Sequence, residues 1–366
     1  MVTVSLCMIV KDEEENLPRC LASVQGLVDE IVIVDTGSRD RTKERAAQFT
    51  PLIYDFPWID DFSAARNFAF SKGTMDYCMW LDADDVLEEE ARRGFLQLKE
   101  ELSPETDVVM MRYHTAFDSS GRPTFTYYRE RLIRREAGLL WQGAVHEAIT
   151  PAGVVVYSQL SVTHRKTGPG EPERNLRIFE SLLRAGKSLS PREQFYYARE
   201  LTYHGRDGEA VEVLREFLQS EEGWLENKLE ACRTLAGCYS RLGREELALE
   251  ALFKSLQFGP PRAELCCELG QWFFRREENA TAAFWYELAL TRPRADDTGA
   301  FVVPDCYDYL PCIQLCLCYY RMGQLQRARD YNERAGQAKP EDPAYLYNRD
   351  FFARQGESHR SAEEPS

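Results

Sequence analysis

The sequence predicts a chain of two parts, an α/β domain built on a parallel sheet covered by helices on both faces and then an all-α domain of helical repeats. Three observations carry this. Short apolar strands alternate with amphipathic stretches over the first hundred or so positions. A pattern of small and aromatic residues recurs with a period of 34 in the second half. Between them, Thr167-Gly-Pro-Gly-Glu-Pro-Glu interrupts any regular element. At roughly 150 residues per domain, a chain of 366 residues has room for two or three such units.

The elements follow in order. Val2 to Val10 reads as a buried strand, and Leu17, Leu21 and Val24 mark the apolar side of the helix after it. Glu30 to Val34 is a second strand, followed by Asp35-Thr-Gly-Ser and a polar helix from Asp40, whose side chain is placed to cap it. A third strand covers Leu52 to Tyr54, a helix Phe62 to Phe70, a fourth strand Tyr77 to Leu81 and a helix Glu88 to Glu101. Continuous apolar strands imply burial on both faces, and ligands of such sheets sit at the carboxyl ends of the strands. The segments Val108 to His114, Phe125 to Arg134 and Val154 to His164 lack long helices between them and predict an antiparallel extension. Farther on, Ala236, Tyr239, Ala248 and Ser255 recur one period later as Gly270, Phe273, Ala282 and Ala289. Flanking copies hold Ala198, Leu201 and Ala210, and Cys316, Tyr319, Ala328 and Ala335. Small residues let paired helices approach, and Pro260 and Pro340 close two units, so the segment resembles four tetratricopeptide repeats with a concave binding face. The expected domains are residues 1–168 and 169–356, with a disordered tail at 357–366.

Composition narrows the function. With 44% hydrophobic residues the chain can bury a core, and 45 basic against 60 acidic residues give a net charge of -15. That charge repels nucleic acid and acidic lipid, so any anionic ligand needs a counter-charge. Eleven cysteines, an odd number, with Cys266 and Cys267 adjacent and Cys312, Cys316 and Cys318 inside an apolar helical run, read as core residues in a reducing compartment. No signal peptide follows Met1 and no apolar run reaches the roughly 18 residues of a membrane span, so a cytoplasmic protein is expected.

The fourth strand ends in Trp80-Leu-Asp-Ala-Asp-Asp. Carboxylates placed there are costly to bury unpaired, so a cation belongs beside them, and the hard oxygens of Asp82 and Asp84 suit Mg²⁺ or Mn²⁺. Acidic decoration of a helix N-terminus would give the same letters. Asp35-Thr-Gly-Ser spells an aspartic-protease loop, but that chemistry requires two such loops in an all-β framework. No dinucleotide or P-loop glycine pattern follows any strand.

Five motifs taken together, Met8 to Leu17, Ile31 to Thr42, Asp61 to Asn67, Trp80 to Asp85 and Trp141-Gln-Gly-Ala-Val-His-Glu, resemble family-2 glycosyltransferases of GT-A fold. The branch they are most similar to carries C-terminal tetratricopeptide repeats and includes sublancin-type peptide S-glycosyltransferases. The resemblance implies a metal-dependent inverting transferase using a nucleotide-sugar, a UDP-sugar by preference, with a peptide, protein or glycan as acceptor. It places Val10, Asp12 and Asp35 at the nucleotide, Arg66 and Asn67 near the nucleotide-sugar, and Asp82 and Asp84 in the D-x-D motif, with Asp84 the direct metal ligand. His164 matches a distal histidine that completes the metal shell. Trp141 would form a sugar or acceptor platform. Glu147 is the expected general base and His146 its alternative, since neighbours on an extended segment point to opposite faces. Arg112, Arg122, Arg129, Arg131, Arg134 and Arg135 fit a diphosphate, an acidic acceptor or a solvated strand edge. A repeat-based adaptor with an inactive transferase domain is the rival from another class, and homo-oligomer formation through the repeats stays open.

Overall fold

The structure is a computed structural model that describes residues 1–118, 121–165, 171–294 and 301–363. Most of the interrupting segment expected near 167, residues 166–170, lies outside the described residues. The chain packs as two compact units, one running from Met1 to Trp224 and a second beginning at Leu225.

The first unit is built on an eight-stranded sheet of β1 (Val4–Val10), β2 (Glu30–Asp35), β3 (Ile53–Asp55), β4 (Tyr77–Met79), β5 (Asp85–Val86), β6 (Val108–Phe117), β7 (Pro123–Arg134) and β8 (Val155–His164), in the order β3-β2-β1-β4-β7-β6-β8-β5. The first four strands are parallel, joined through α1 (Leu17–Val24), α2 (Thr42–Ala46) and α3 (Phe62–Lys72), and α4 (Glu89–Glu101) follows β5. β1 shows why the strands read as unbroken apolar runs. Leu6, Met8 and Val10 pack on one face with Leu17 and Leu21 of α1 and Phe95 of α4, while Cys7 packs on the other with Ala69 and Phe68 of α3.

Two details differ from the sequence reading. The fourth strand leaves the ladder at Met79, because Trp80 turns inward, 1% exposed, with its indole N–H donating to the carbonyl of Glu130. The extension is only partly antiparallel: β7 runs against both β4 and β6, but β8 pairs parallel to β6. β7 ends and β8 begins at the same end of β6, with Ile133 and Val155 both opposite Val108, and the motif Trp141 to Glu147 lies on the segment between them. All eleven cysteines are buried and unpaired by disulfides. Among the described residues no helix is long and apolar enough to cross a membrane.

Helices α5 (Arg174–Arg184), α6 (Pro191–Tyr203) and α7 (Asp207–Gln219) belong to the first unit. The second contains α8 (Leu225–Arg241), α9 (Glu245–Lys254), α10 (Ala263–Arg275), α11 (Asn279–Ala289), α12 (Tyr309–Arg321), α13 (Leu325–Ala338) and α14 (Pro343–Glu363). The backbone at 357–363, where disorder is expected, continues α14. The repeated small residues sit where helices of a pair meet: Ala236, Ala248, Ala282, Ala289, Cys316, Ala328 and Ala335 are all buried. Gly270 shows how tight the approach is, since a β-carbon there would lie 2.8 Å from the ring of Tyr286.

The turns inside the helix pairs repeat as well. Gly205, Gly243 and Gly323 adopt φ of 70°, 70° and 74°, and Glu277, one period after Gly243, is forced to 64°. Each donates its N–H to the carbonyl three residues back. A β-carbon in the left-handed region costs about 1–2 kcal/mol, of which glycine's greater freedom in the unfolded chain returns up to about 1. Glu277→Gly is therefore expected to stabilise the second unit by about 0.5–1 kcal/mol, read as a higher midpoint of thermal unfolding; a lowered midpoint contradicts it.

Candidate active site

Trp80 forms the floor of the site, and three guanidinium groups stack against it: Arg66 at 4.7 Å, Arg129 at 4.7 Å and Arg131 at 3.8 Å. Each is claimed by carboxylates. Arg66 Nη2 donates to Asp82 Oδ1 at 2.7 Å and its Nε to Glu147 Oε1 at 2.6 Å. Arg129 pairs with Glu130 at 3.1 Å, and Arg131 with Asp85 at 3.1 Å, both members of the latter pair fully buried. Buried charges of this kind persist only when paired. Burial disfavours the charged forms, yet the paired arginines hold Asp82 and Glu130 below the usual carboxylate range, and Asp82 and Glu147 raise Arg66 above the ordinary arginine value. Among the described residues, Asp84 is the one carboxylate of the acidic turn that has no guanidinium partner.

Strand register brings His164 to Asp84. β5 pairs antiparallel with the end of β8, so that Asp85 lies opposite His164. His164 Nδ1 is 3.3 Å from Asp84 Oδ1, 3.3 Å from Asp85 Oδ1 and 3.0 Å from the Tyr113 hydroxyl, which donates to Asp85 at 2.8 Å. Burial works against the imidazolium, but hydrogen bonds and the charges of Asp84 and Asp85 outweigh it and raise the His164 pKa to about 10. Ligand atoms of Asp84, Asp85 and His164 all lie within 4.8 Å of one another. Both oxygens of Asp85 are already engaged, by Tyr113 and His164 on one side and by Arg131 and the Asp82 N–H on the other. Asp84 offers a hard oxygen to a divalent cation, and His164 an imidazole nitrogen once the cation displaces its proton. Asp82, expected beside them as a ligand, turns to Arg66 and stands outside this group.

The expected nucleotide residues gather at the carboxyl ends of β1 and β2, where Val10 pairs with Asp35. Asp35 is 1% exposed; its Oδ1 accepts the N–H groups of Gly37 and Ser38 at 2.9 Å each, and its Oδ2 is buried with no hydrogen-bond partner among the described residues. A buried acceptor left empty is costly, and a ligand N–H or O–H would fill it. Asp12, at φ 54°, ties the first loop to the second, accepting the Arg39 N–H and donating its own to Ser38 Oγ. Asp40 stands one residue before Arg41, the N-cap of α2, so it does not cap the helix as expected; it accepts the Thr42 N–H at 2.9 Å and the Glu14 N–H.

Asn67 and Trp141 have different duties from those expected. Asn67 grips the Trp141 backbone from both sides, donating to its carbonyl at 3.0 Å and accepting its N–H at 2.9 Å. Trp141 is 2% exposed and packs edge-on to Trp80 and Phe70, so it presents no face for a sugar to stack on. It anchors the loop beyond it, which Gln142 and Ala148 close with a pair of backbone hydrogen bonds. The segment expected to be extended is this closed loop, in which His146 takes a left-handed φ of 52°. The two candidate bases separate as a result. His146 turns to Glu200 of α6, with Nε2 2.7 Å from Oε1, and Glu147 turns inward to Arg66. Glu147 Oε2 takes no hydrogen bond from any described residue.

The sequence model of glycosyl transferase family 2 matches residues 5–155. The TPR repeat-containing protein Synpcc7942_0270 of Synechococcus elongatus is 32% identical over 351 residues, which cover 93% of this chain and 76% of that protein. This chain belongs to glycosyl transferase family 2. The SPbeta prophage-derived glycosyltransferase SunS of Bacillus subtilis is 26% identical over 241 residues, 60% of this chain and 54% of SunS. Solved structures similar to the helical part include MamA, at 16% identity and a TM-score of 0.38 over 47% of this chain and 85% of that one. A tetratricopeptide protein of Thermus thermophilus, TTC0263, has a TM-score of 0.35 at 21% identity, over 50% of this chain and 90% of that one.

The protein is thus a glycosyltransferase with a helical-repeat half, and the matched span holds every site residue named above except His164 and Glu200. Sequence reasoning missed Tyr113, Glu130 and Glu200, gave Asp85 no role, and offered Arg131 to a diphosphate, an acidic acceptor or a solvated strand edge where it is buried against Asp85. Asp85 and Arg131 were visible as a third aspartate and one of several arginines, but nothing local pairs them. For Tyr113 and Glu200 the sequence carries no signal, because their partners lie on other elements.

Proposed function

We propose that this glycosyltransferase is metal-dependent and inverting, and transfers a sugar from a UDP-sugar to a peptide or protein held partly by the helical repeats. The observation that carries the reading is Asp84 at the carboxyl end of the parallel strands, met by the imidazole of His164 and by no guanidinium, while Asp82 and Asp85 are held by arginines. Asp84 and His164 would hold Mg²⁺ or Mn²⁺, which when bound supplies positive charge to a departing diphosphate in a chain of net charge -15. The empty Oδ2 of Asp35 fits a base N–H or a ribose hydroxyl. Glu147, fixed through Oε1 by Arg66, keeps Oε2 to take the acceptor's proton. A stack of paired helices suits an extended chain, which favours a peptide over a branched glycan. Residues 169–356 would then hold the acceptor and 1–168 the donor.

Thermal unfolding of the full chain against a panel of UDP-sugars, with Mn²⁺ and with EDTA, tests the donor and the metal together. A ligand at 100 times its Kd stabilises by about 2.7 kcal/mol. The expected result is a shift with one UDP-sugar that disappears in EDTA; equal shifts in both conditions remove the metal from the reading.

A further inference from the structure

Helix α6 reaches the loop that carries Glu147 and holds it at three points. The ring of Tyr196 stacks on His146 with centroids 4.3 Å apart and planes 15° from parallel. Glu200 Oε1 meets His146 Nε2 at 2.7 Å and is itself fixed by Asn175 Nδ2 of α5 at 3.0 Å. Arg192 Nε donates to the His146 carbonyl at 3.1 Å, its guanidinium lying over Tyr196 at 4.8 Å. These contacts converge on the one residue of the loop, other than glycine, with a left-handed backbone. A histidine keeps such a conformation only when its surroundings over-determine it. From the sheet side the same loop is fixed by Arg66 at the Glu147 carboxylate, by Arg129 at the Glu147 carbonyl at 3.3 Å and by the Phe62 N–H at the Ala144 carbonyl at 2.9 Å.

We infer that Glu200 and Tyr196 are positioning residues for catalysis: by holding His146 in its left-handed conformation they fix the direction in which Glu147 faces the acceptor. The inference rests on Glu147 being the base. It assigns the helices just beyond the sheet to the catalytic machinery and explains why His146, the other candidate base, is turned from the reacting atoms. If the grip of α6 is lost, His146 relaxes toward ordinary backbone angles and its neighbour turns with it. Misplacement of a reacting group by about 1 Å costs on the order of 10²-fold in rate.

The test uses the full chain, the UDP-sugar that stabilises it most in the presence of Mn²⁺, and release of UDP by hydrolysis as the assay. Glu200→Ala should lower kcat by about 10-fold to 10²-fold while KM for the donor stays within about two-fold. Amide hydrogen exchange across residues 142–148 should accelerate in the same variant. Tyr196→Ala should do likewise and Tyr196→Phe, which keeps the stacked ring, should not; this pair carries the test if Glu200→Ala does not fold. Because Glu200 is argued to act through Glu147, the double variant Glu200→Ala with Glu147→Gln should be no slower than Glu147→Gln alone. Unchanged kcat and unchanged exchange in Glu200→Ala overturn the inference, as do losses that multiply in the double variant. Full turnover in Glu147→Gln alone means instead that the base is misassigned, and exchange at 142–148 then still decides whether α6 holds the loop.

Discussion

Glu147→Gln is expected to lower turnover by about 10² to 10⁴-fold, the usual contribution of a positioned base, with little change in donor affinity. The substitution is gentle on the structure. Glutamine keeps an oxygen where Oε1 accepts from Arg66 Nε, and Arg66 retains Asp82 at 2.7 Å as counter-charge, so the guanidinium between Trp80 and Trp141 stays paired. What disappears is the capacity of the second oxygen to take a proton. The pH profile separates this from a displaced loop: loss of the base removes the acidic limb of kcat, whereas a positioning variant lowers the whole curve and keeps that limb. If Glu147→Gln keeps full turnover and His146→Gln loses the acidic limb, the imidazole is the base, and its contact with Glu200 at 2.7 Å becomes the means of orienting it.

The parts of this site that were legible in the sequence are those set by local pattern. Strands β1 and β2 announce themselves because both faces are buried, and the acidic turn follows β4 directly in the chain. The repeats were legible because a close helix approach demands small residues at fixed spacing, as at Ala248 and Ala282. Partner choice was not legible. Asp82, Asp84 and Asp85 look alike in sequence, yet Arg66 claims the first, Arg131 the last, and His164 meets the middle one, because three different strands and helices deliver those cations. Asn67 carries a donor and an acceptor to any reader, but that both go to the backbone of one residue 74 positions away is a fact of packing. The division of the chain follows the same logic. Composition changes near residue 168, whereas the compact unit extends to Trp224, because α5 and α6 are fastened to the sheet's loops by Arg177 with Asp60 and by Glu200 with His146.

The three aspartates of the turn should therefore fail differently when each is replaced by asparagine. Asp84→Asn should fold normally, since no guanidinium depends on it, and should lose the metal-dependent stabilisation by UDP-sugar. Its activity should fall by about 10² to 10³-fold, because charge stabilisation by a metal is worth several kcal/mol and each 1.36 kcal/mol is a factor of ten. Asp85→Asn leaves Arg131, fully buried between Trp80 and Tyr113, without its counter-charge. Breaking a buried pair in this way costs about 3–5 kcal/mol of folding stability, so this variant should unfold early whether or not metal and donor are present. Thermal unfolding with Mn²⁺ and UDP-sugar, and again in EDTA, distinguishes the two. Asp84→Asn should fall only slightly below the parent chain in EDTA, where it gives up its contact with His164, and further below it with metal; Asp85→Asn should be strongly displaced in both. A metal-dependent shift that survives in Asp84→Asn, or full transfer by the parent chain in excess EDTA, would mean that the Asp84 carboxylate serves something other than a cation beside the donor.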